Sequence, residues 1–304
     1  MNAHPLPTAP RRARGPGLAR LSAWLALGLL LLITVAPVWT VLKTALTPHD
    51  QLAAGAGTLW PQGATLDNFR RVLGLMSPEQ SIARGGSGAE INVGRALLNS
   101  VVFTAVVVVL QTLFAAMAAY AFARLRFPGR GLLFGLFVGS MMVPGVVTLI
   151  PNFVLMRELG LLNTLAGMVA PFCLMQGFSV FFLRQFFLSV PRDLEEAALL
   201  DGASHAWVFF RIVLPLSTTA VATIALLTGI NMWNEFFWPW LVGRDESLQV
   251  LPVALQQFKT QTPQGQPDWG GLMAAATVAL LPTVGLLLAF GRQVVESVQF
   301  SGGK

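Results

Sequence analysis

Apolar and polar positions in this chain are segregated into long blocks rather than interleaved. Six stretches carry no Asp, Glu, Lys or Arg: Leu21–Leu42, Ala96–Ala123, Gly131–Met156, Leu159–Leu183, Ile212–Asn234 and Trp269–Gly291. A helix of roughly 20 apolar residues crosses the hydrocarbon core of a bilayer. The pattern therefore predicts six transmembrane helices, because buried helices of a soluble core would not repeat at this length six times. Pro37, Pro144, Pro151, Pro171 and Pro282 fall inside these runs. Each removes a backbone donor and crowds the preceding turn, and the freed carbonyls need neighbouring protein or a cavity. Pro144 and Pro151 bracket Gly145, which predicts a bent, pore-side third helix, although an ordinary packing kink explains any single proline.

The polar blocks divide the rest of the chain. Residues 1–20, rich in Pro, Arg and Gly, read as a disordered tail. Residues 43–90 form an extracytoplasmic loop in which 65–73 reads as one short helix, with Asp67 near its start. Residues 91–292 hold five helices, with a polar loop at 184–211 and an outer loop at 235–268. Residues 293–304 form a second tail. The first apolar run follows Arg11, Arg12, Arg14 and Arg20 as a signal peptide would. It exceeds the usual h-region of about 7–15 residues and ends without a small-residue cleavage site, so it is read as a retained span.

Composition agrees with a membrane protein: 54% of residues are hydrophobic and 11% charged, against about a quarter charged in soluble domains. Twelve of the 20 lysines and arginines lie in the two tails, the 124–130 turn and the 184–211 loop. Most of the others lie in the long 43–95 loop, where charge has little influence on topology. This bias predicts that both termini and the 184–211 loop are cytoplasmic, and it explains the net charge of +6 without a nucleic-acid partner. Cys173 is the only cysteine, and His4, His49 and His205 are scattered. They offer no disulfide and no metal-ligand spacing. No phosphate-binding G-x-x-x-x-G-K-[ST] loop occurs.

The 184–211 loop carries the strongest pattern. Pro191 suits a helix start, and Asp193, Glu195 and Glu196 then fall where the helix dipole favours acids. Leu194, Ala197 and Ala198 recur at i, i+3 and i+4 as a narrow apolar face, and Gly202 is a natural stop. A helix lying on lipid headgroups would carry basic residues on its polar face. Here four acids (Asp193, Glu195, Glu196 and Asp201) stand against Arg192, which suits a protein groove better.

Glu196-Ala197-Ala198, then Gly202 and, after nine intervening residues, Ile212-Val213-Leu214-Pro215 resembles the EAA loop of binding-protein-dependent ABC importer permeases. The carbohydrate branch, maltose-like and glycerol-phosphate-like, is the nearest pattern. Thr65–Phe69, Tyr120–Arg124, Met142-Val143-Pro144, Trp233-Asn234-Glu235-Phe236 and Trp269–Ala275 are similar to that branch and follow its order. Two departures stand out. Glu235 occupies a position where the family often has Asp, and the end of the chain, Val298–Lys304, differs from the family's usual tail.

The resemblance implies an all-α membrane fold of six helices, the type I importer architecture, with 184–211 as a coupling loop. Glu195, Glu196, Ala197, Ala198, Asp201, Gly202, Ala203, Ile212, Leu214 and Pro215 would dock a cytoplasmic ATPase. Implied partners are a second permease, two ATPase subunits and an extracytoplasmic solute-binding protein. ATP and magnesium would belong to the ATPase, and this chain would not be an enzyme.

Intramembrane polar residues are candidates for a solute path, although most prove to be helix–helix contacts. Asn231, Asn234 and Glu235 share one helical face beside Trp233 and Trp238, and amides with aromatic rings suit a sugar. Alternatively, Trp233, Trp238 and Trp240 form an aromatic belt at the outer interface. Asn152, Gln176 and Ser179 are further candidates. Arg70, Arg71 and Arg84 could favour an anionic solute or simply coat a solvated loop. An ion-coupled secondary transporter is the main rival, but it calls for mid-span acids, which the six runs lack; a non-transporting scaffold is a third reading.

Overall fold

The computed structural model describes residues 16–55, 57–88, 91–260 and 267–302. Among these the regular structure is entirely helical. Three helices are long and apolar enough to cross a membrane unbroken: α1 (Pro16–Leu46), α4 (Val93–Arg124) and α16 (Trp269–Gly302). Between α1 and α4 lie α2 (Asp67–Val72) and α3 (Pro78–Ala83). Beyond α4 come α5 (Arg130–Ser140), α6 (Gly145–Glu158), α7 (Leu165–Cys173), α8 (Gly177–Ser189) and α9 (Arg192–Leu200). Helix α10 (His205–Val208) runs through a π-helical turn, Phe209–Val213, into α11 (Leu214–Leu216) and α12 (Thr218–Trp233). The outer connection holds α13 (Phe237–Val242), α14 (Leu251–Leu255) and α15 (Gln257–Thr260).

The count reaches six only when bent pairs are taken as single spans. The third apolar run breaks into α5 and α6 with a 100° bend, the fourth into α7 and α8 with 49°, and the fifth into the α10–α11 stretch and α12 with 81°. The third break falls at Pro144, whose extended backbone (ψ 133°) precedes α6, because proline cannot donate to the helix before it. Pro151 lies inside α6 without breaking it. The expected bend is therefore present, and it is far sharper than a kink.

Three packed clusters hold the spans together. Ala115, Ala119 and Phe122 of α4 meet Val180, Leu183 and Phe187 of α8 and Phe209, Val213 and Ile224 beyond the loop. Phe103 and Val107 of α4 meet Met168, Trp238 and Val242. The third cluster gathers Ala45, Val72, Ala96, Trp233, Leu251 and Ala274. Glycine permits the closest approach: a Cβ on Gly177 would stand 2.3 Å from the Phe137 carbonyl oxygen, so α8 packs on α5 backbone to backbone. Elsewhere α1, α6 and α16 expose apolar side chains, such as Leu25, Ile150 and Leu288, as hydrocarbon requires.

Several boundaries differ from the sequence reading. Helix α1 begins at Pro16, inside the expected 1–20 tail, and residues 1–15 lie outside the described residues. Helix α16 continues to Gly302, through most of the expected 293–304 tail. The 43–90 loop holds a second helix, α3, which the sequence reading missed. Ser77 and Gln80 form a reciprocal capping box at its start, so its signal was present in Ser77-Pro78-Glu79-Gln80.

The outer loop is latched to α16 by a buried ion pair. Arg71 of α2 reaches Asp268 at 2.5 Å, and neither side chain is more than 5% exposed. Asp268 also accepts from the Ser87 and Gly271 amides at 2.9 and 2.8 Å. Asn68 donates to the Ala45 and Thr47 carbonyls at 2.8 and 2.9 Å, bringing in the end of α1. Arg84 and Arg70 both pair with Asp67. Arg71 is therefore neutralised and buried, which overturns the solvated-loop reading at that residue, whereas Arg70 and Arg84 share the one carboxylate of Asp67 and remain on the exposed surface of the loop.

Candidate functional site: the loop between α8 and α12

Helix α9 sits on the end of α4. Arg124, the last residue of α4, donates to the Val190 carbonyl at 2.5 Å and pairs with Glu195 at 2.7 Å. The two side chains are 6% and 8% exposed. Burial pushes the Glu195 carboxyl up; Arg124 opposes this only in part, and Arg192 and His205 oppose it less. A buried pair of this kind fixes orientation, since each partner strands a charge without the other.

The helix ends in a defined turn. Gly202 adopts φ +87°, a left-handed conformation, and the Ala203 amide reaches back to the Ala198 carbonyl at 3.0 Å, as in a glycine-terminated Schellman stop. Ser204 then caps α10 by accepting from the Trp207 amide at 3.2 Å. Two short helices thus meet at a rigid corner. Ala198, Ala203, Ile212 and Leu214 pack against the cluster built on α4 and α8.

This anchoring sorts the sequence-predicted docking residues. Glu196, Ala197, Asp201, Gly202 and Pro215 are exposed. Glu195 faces inward, where it ties the helix to α4 and is not available to an outside surface. Ala198, Ala203, Ile212 and Leu214 are half-buried. The apolar face is divided as well: Leu194 and Ala197 are exposed, whereas Ala198 packs inward. The sequence reading missed the outermost apolar groups, Leu200 at 88% and Trp207 at 50% exposure. It also missed Arg124, whose position at the end of an apolar run resembles any interfacial arginine.

The solute-path candidates are dispersed. Ser179 is buried in α8, Asn152 is half-buried in α6, and Gln176 is exposed in the bend between α7 and α8. Asn231 is exposed on α12, while Asn234, also exposed, donates to the Ile230 carbonyl at 2.7 Å. Glu235 accepts from the Trp238 amide at 3.1 Å. Of the expected tryptophan belt only Trp240 is exposed. Trp233 and Trp238 are buried and donate to the Ala279 and Gly167 carbonyls at 3.0 and 3.2 Å. They are packing anchors, because a buried indole must satisfy its N–H. A cavity of 660 Å³ between α4, α12 and α16 is lined by Thr104, Val108, Gly229, Trp233 and Pro282 and by none of the six polar candidates.

Comparison with known proteins bears on this arrangement. Residues 111–298 match the family described as the binding-protein-dependent transport system inner membrane component. The chain belongs to this family. It is 32% identical over 274 residues to the arabinooligosaccharides transport system permease protein AraQ of Halalkalibacterium halodurans, covering 90% of this chain and 92% of that one. It is 36% identical to the probable ABC transporter permease protein YurM of Bacillus subtilis, over 66% of each chain. It is 33% identical to the sn-glycerol-3-phosphate transport system permease protein UgpE of Salmonella typhi, over 66% of this chain and 71% of that one. A chain from the crystal structure of a bacterial ABC transporter that imports the acidic polysaccharide alginate superposes with a TM-score of 0.78 at 22% identity. That match covers 93% of this chain and 99% of the other, and it shows the same fold. The chain is thus a multi-pass membrane permease subunit, and the catalysis of ATP hydrolysis lies on separate subunits.

Proposed function

We propose that this permease works with a second permease to import a sugar or a related solute handed over by an extracytoplasmic binding protein. ATP, with magnesium, would be hydrolysed on two cytoplasmic ATPase subunits that grip the α9–α10 corner. The observation that carries this reading is the contrast within α9. Its inner side is locked to α4 by the Arg124–Glu195 pair, while Leu194, Glu196 and Leu200 project outward. Movement at the outer side is passed to a spanning helix, because a ligand shifts an equilibrium only through contacts that differ between two states.

The relatives support the solute class. AraQ serves arabino-oligosaccharides and UgpE serves sn-glycerol-3-phosphate, so a carbohydrate or polyol phosphate is the natural range. The positive-inside bias supports cytoplasmic termini and a cytoplasmic α9. Asn152, Gln176, Ser179, Asn231, Asn234 and Glu235 would contribute to a path formed against the second permease, since none of them lines the 660 Å³ cavity between α4, α12 and α16.

Uptake of labelled oligosaccharides by cells carrying or lacking the gene tests this reading. Uptake should fall when cellular ATP is depleted and persist when an uncoupler collapses the proton gradient at constant ATP. The opposite pattern would favour ion-coupled transport.

A further inference from the structure

Arg126, Arg130 and Arg192 lie beside Arg124 at the coupling corner. The turn between α4 and α5 and the first residue of α9 enclose a 430 Å³ cavity lined by Arg124, Arg126, Phe127, Arg130 and Arg192. Only Arg124 has a carboxylate within ion-pair distance among the described residues, and that carboxylate is Glu195. Arg130 is fixed by one nitrogen, which donates to the Leu125 carbonyl at 3.0 Å. Arg126 and Arg192 are exposed and have no ion-pair partner among the described residues; Arg192 feels Glu195 only at longer range. Four guanidinium groups therefore line one cavity with a single, already committed acid beside them. Left empty, such a group of like charges repels itself.

The place of the cavity identifies its occupant. A five-residue turn joining two membrane-embedded helices lies at the depth of the lipid headgroups, whichever side it faces. Half-buried Phe127 gives the cavity an apolar wall. Planar guanidinium groups bind phosphate oxygens in pairs, and basic pockets beside spanning helices suit anionic headgroups. We propose that this cavity is a binding site for the phosphate of an anionic phospholipid, held between the α4–α5 turn and the first residue of α9. Because Arg192 begins α9 and Arg124 anchors it, lipid bound here would brace the coupling helix. Inorganic phosphate shares this chemistry, and an acidic surface of the ATPase is the competing macromolecular occupant.

The test places a photo-crosslinking phenylalanine analogue at position 127 of the full-length chain, within the complex it purifies with. The complex is reconstituted in vesicles of equal parts phosphatidylglycerol and phosphatidylcholine. Crosslinking should strongly favour phosphatidylglycerol. Arg126→Gln and Arg192→Gln should each weaken that preference about fivefold, and Arg211→Gln, elsewhere on the loop, should leave it intact. Retention of ATPase subunits by each variant reports assembly separately, so a folding failure is not mistaken for lost lipid binding. Arg126→Lys should restore part of the preference through charge alone. Equal labelling of the two lipids, displacement of phosphatidylglycerol by millimolar inorganic phosphate, or crosslinking to the ATPase in place of lipid would each overturn the assignment.

Discussion

At the residue scale, two buried ion pairs tie separate segments of this chain together, Arg71 to Asp268 and Arg124 to Glu195. Removing one partner of such a pair costs about 3–5 kcal/mol, because the other charge is left in a poorly solvated site. Glu195→Ala and Arg124→Ala should therefore each lower thermal stability in detergent, and the double variant should lose less than the sum of the two. The pairs respond oppositely to acid. The pKa of Glu195 is raised by burial, so its own titration favours the folded chain at low pH and loses that contribution as pH rises through the folded value. Burial alone would raise Asp268, but Arg71 and the Ser87 and Gly271 amides outweigh it and hold the group below its usual range. Its stabilisation is present above the ordinary aspartate value of about 3.9 and is lost as pH falls through the lower folded value. Hydrogen exchange in 67–88 should accordingly rise in strong acid. Asp268→Asn should raise exchange at neutral pH and remove that acid step.

At the scale of elements, turns and breaks do the positioning. Gly202 holds a left-handed conformation that costs an L residue roughly 1–2 kcal/mol. Gly202→Val should fray the end of α9 and cut uptake more than it cuts expression, as paired transport assays and membrane blots would show. Gly177→Ala should act differently, lowering the yield of folded protein, because its Cβ meets a backbone carbonyl with no room to retreat. The sequence made the existence of the apolar elements plain and their course less so. A charge-free run has the same composition whether it is straight or bent by 100°, so only Pro144 announced a break. The bends after Cys173 and at Ser217 carry no proline at the break itself, and the π-turn at Phe209–Val213 left no pattern of spacing to read. Trp233 and Trp238 illustrate the same limit. Position near an outer loop pointed to a belt, whereas the direction of each side chain, fixed by helix packing, put both indoles inside.

For the whole molecule, much apolar surface stays uncovered among the described residues: α1 exposes apolar side chains around its length, and the α9–α10 corner exposes Leu200 and Trp207. The helix of the 184–211 loop was legible because Pro191, the acids after it and Gly202 mark its start and its stop. A solute path was not, since polar residues inside apolar runs look alike whether they pack between helices or face a path. Which glutamate faces outward was not legible: two adjacent glutamates look alike in sequence, and packing alone turns Glu195 toward Arg124 and Glu196 outward. If both walls of the path come from separate permeases, Asn231→Ala and Asn234→Ala should alter uptake affinity without changing subunit assembly, measured by concentration-dependent uptake alongside co-purification.

If α9 works as proposed, its outward face grips an ATPase while its inward face grips α4. Purifying the tagged chain in mild detergent and identifying its companions by mass spectrometry tests this directly, with wild type beside Glu196→Lys and Leu200→Arg. The account predicts that wild type brings down a second permease and an ATPase, and that both variants keep the permease and lose the ATPase. Full retention of the ATPase by both variants, or a wild-type chain that carries no ATPase even after cross-linking, would contradict it.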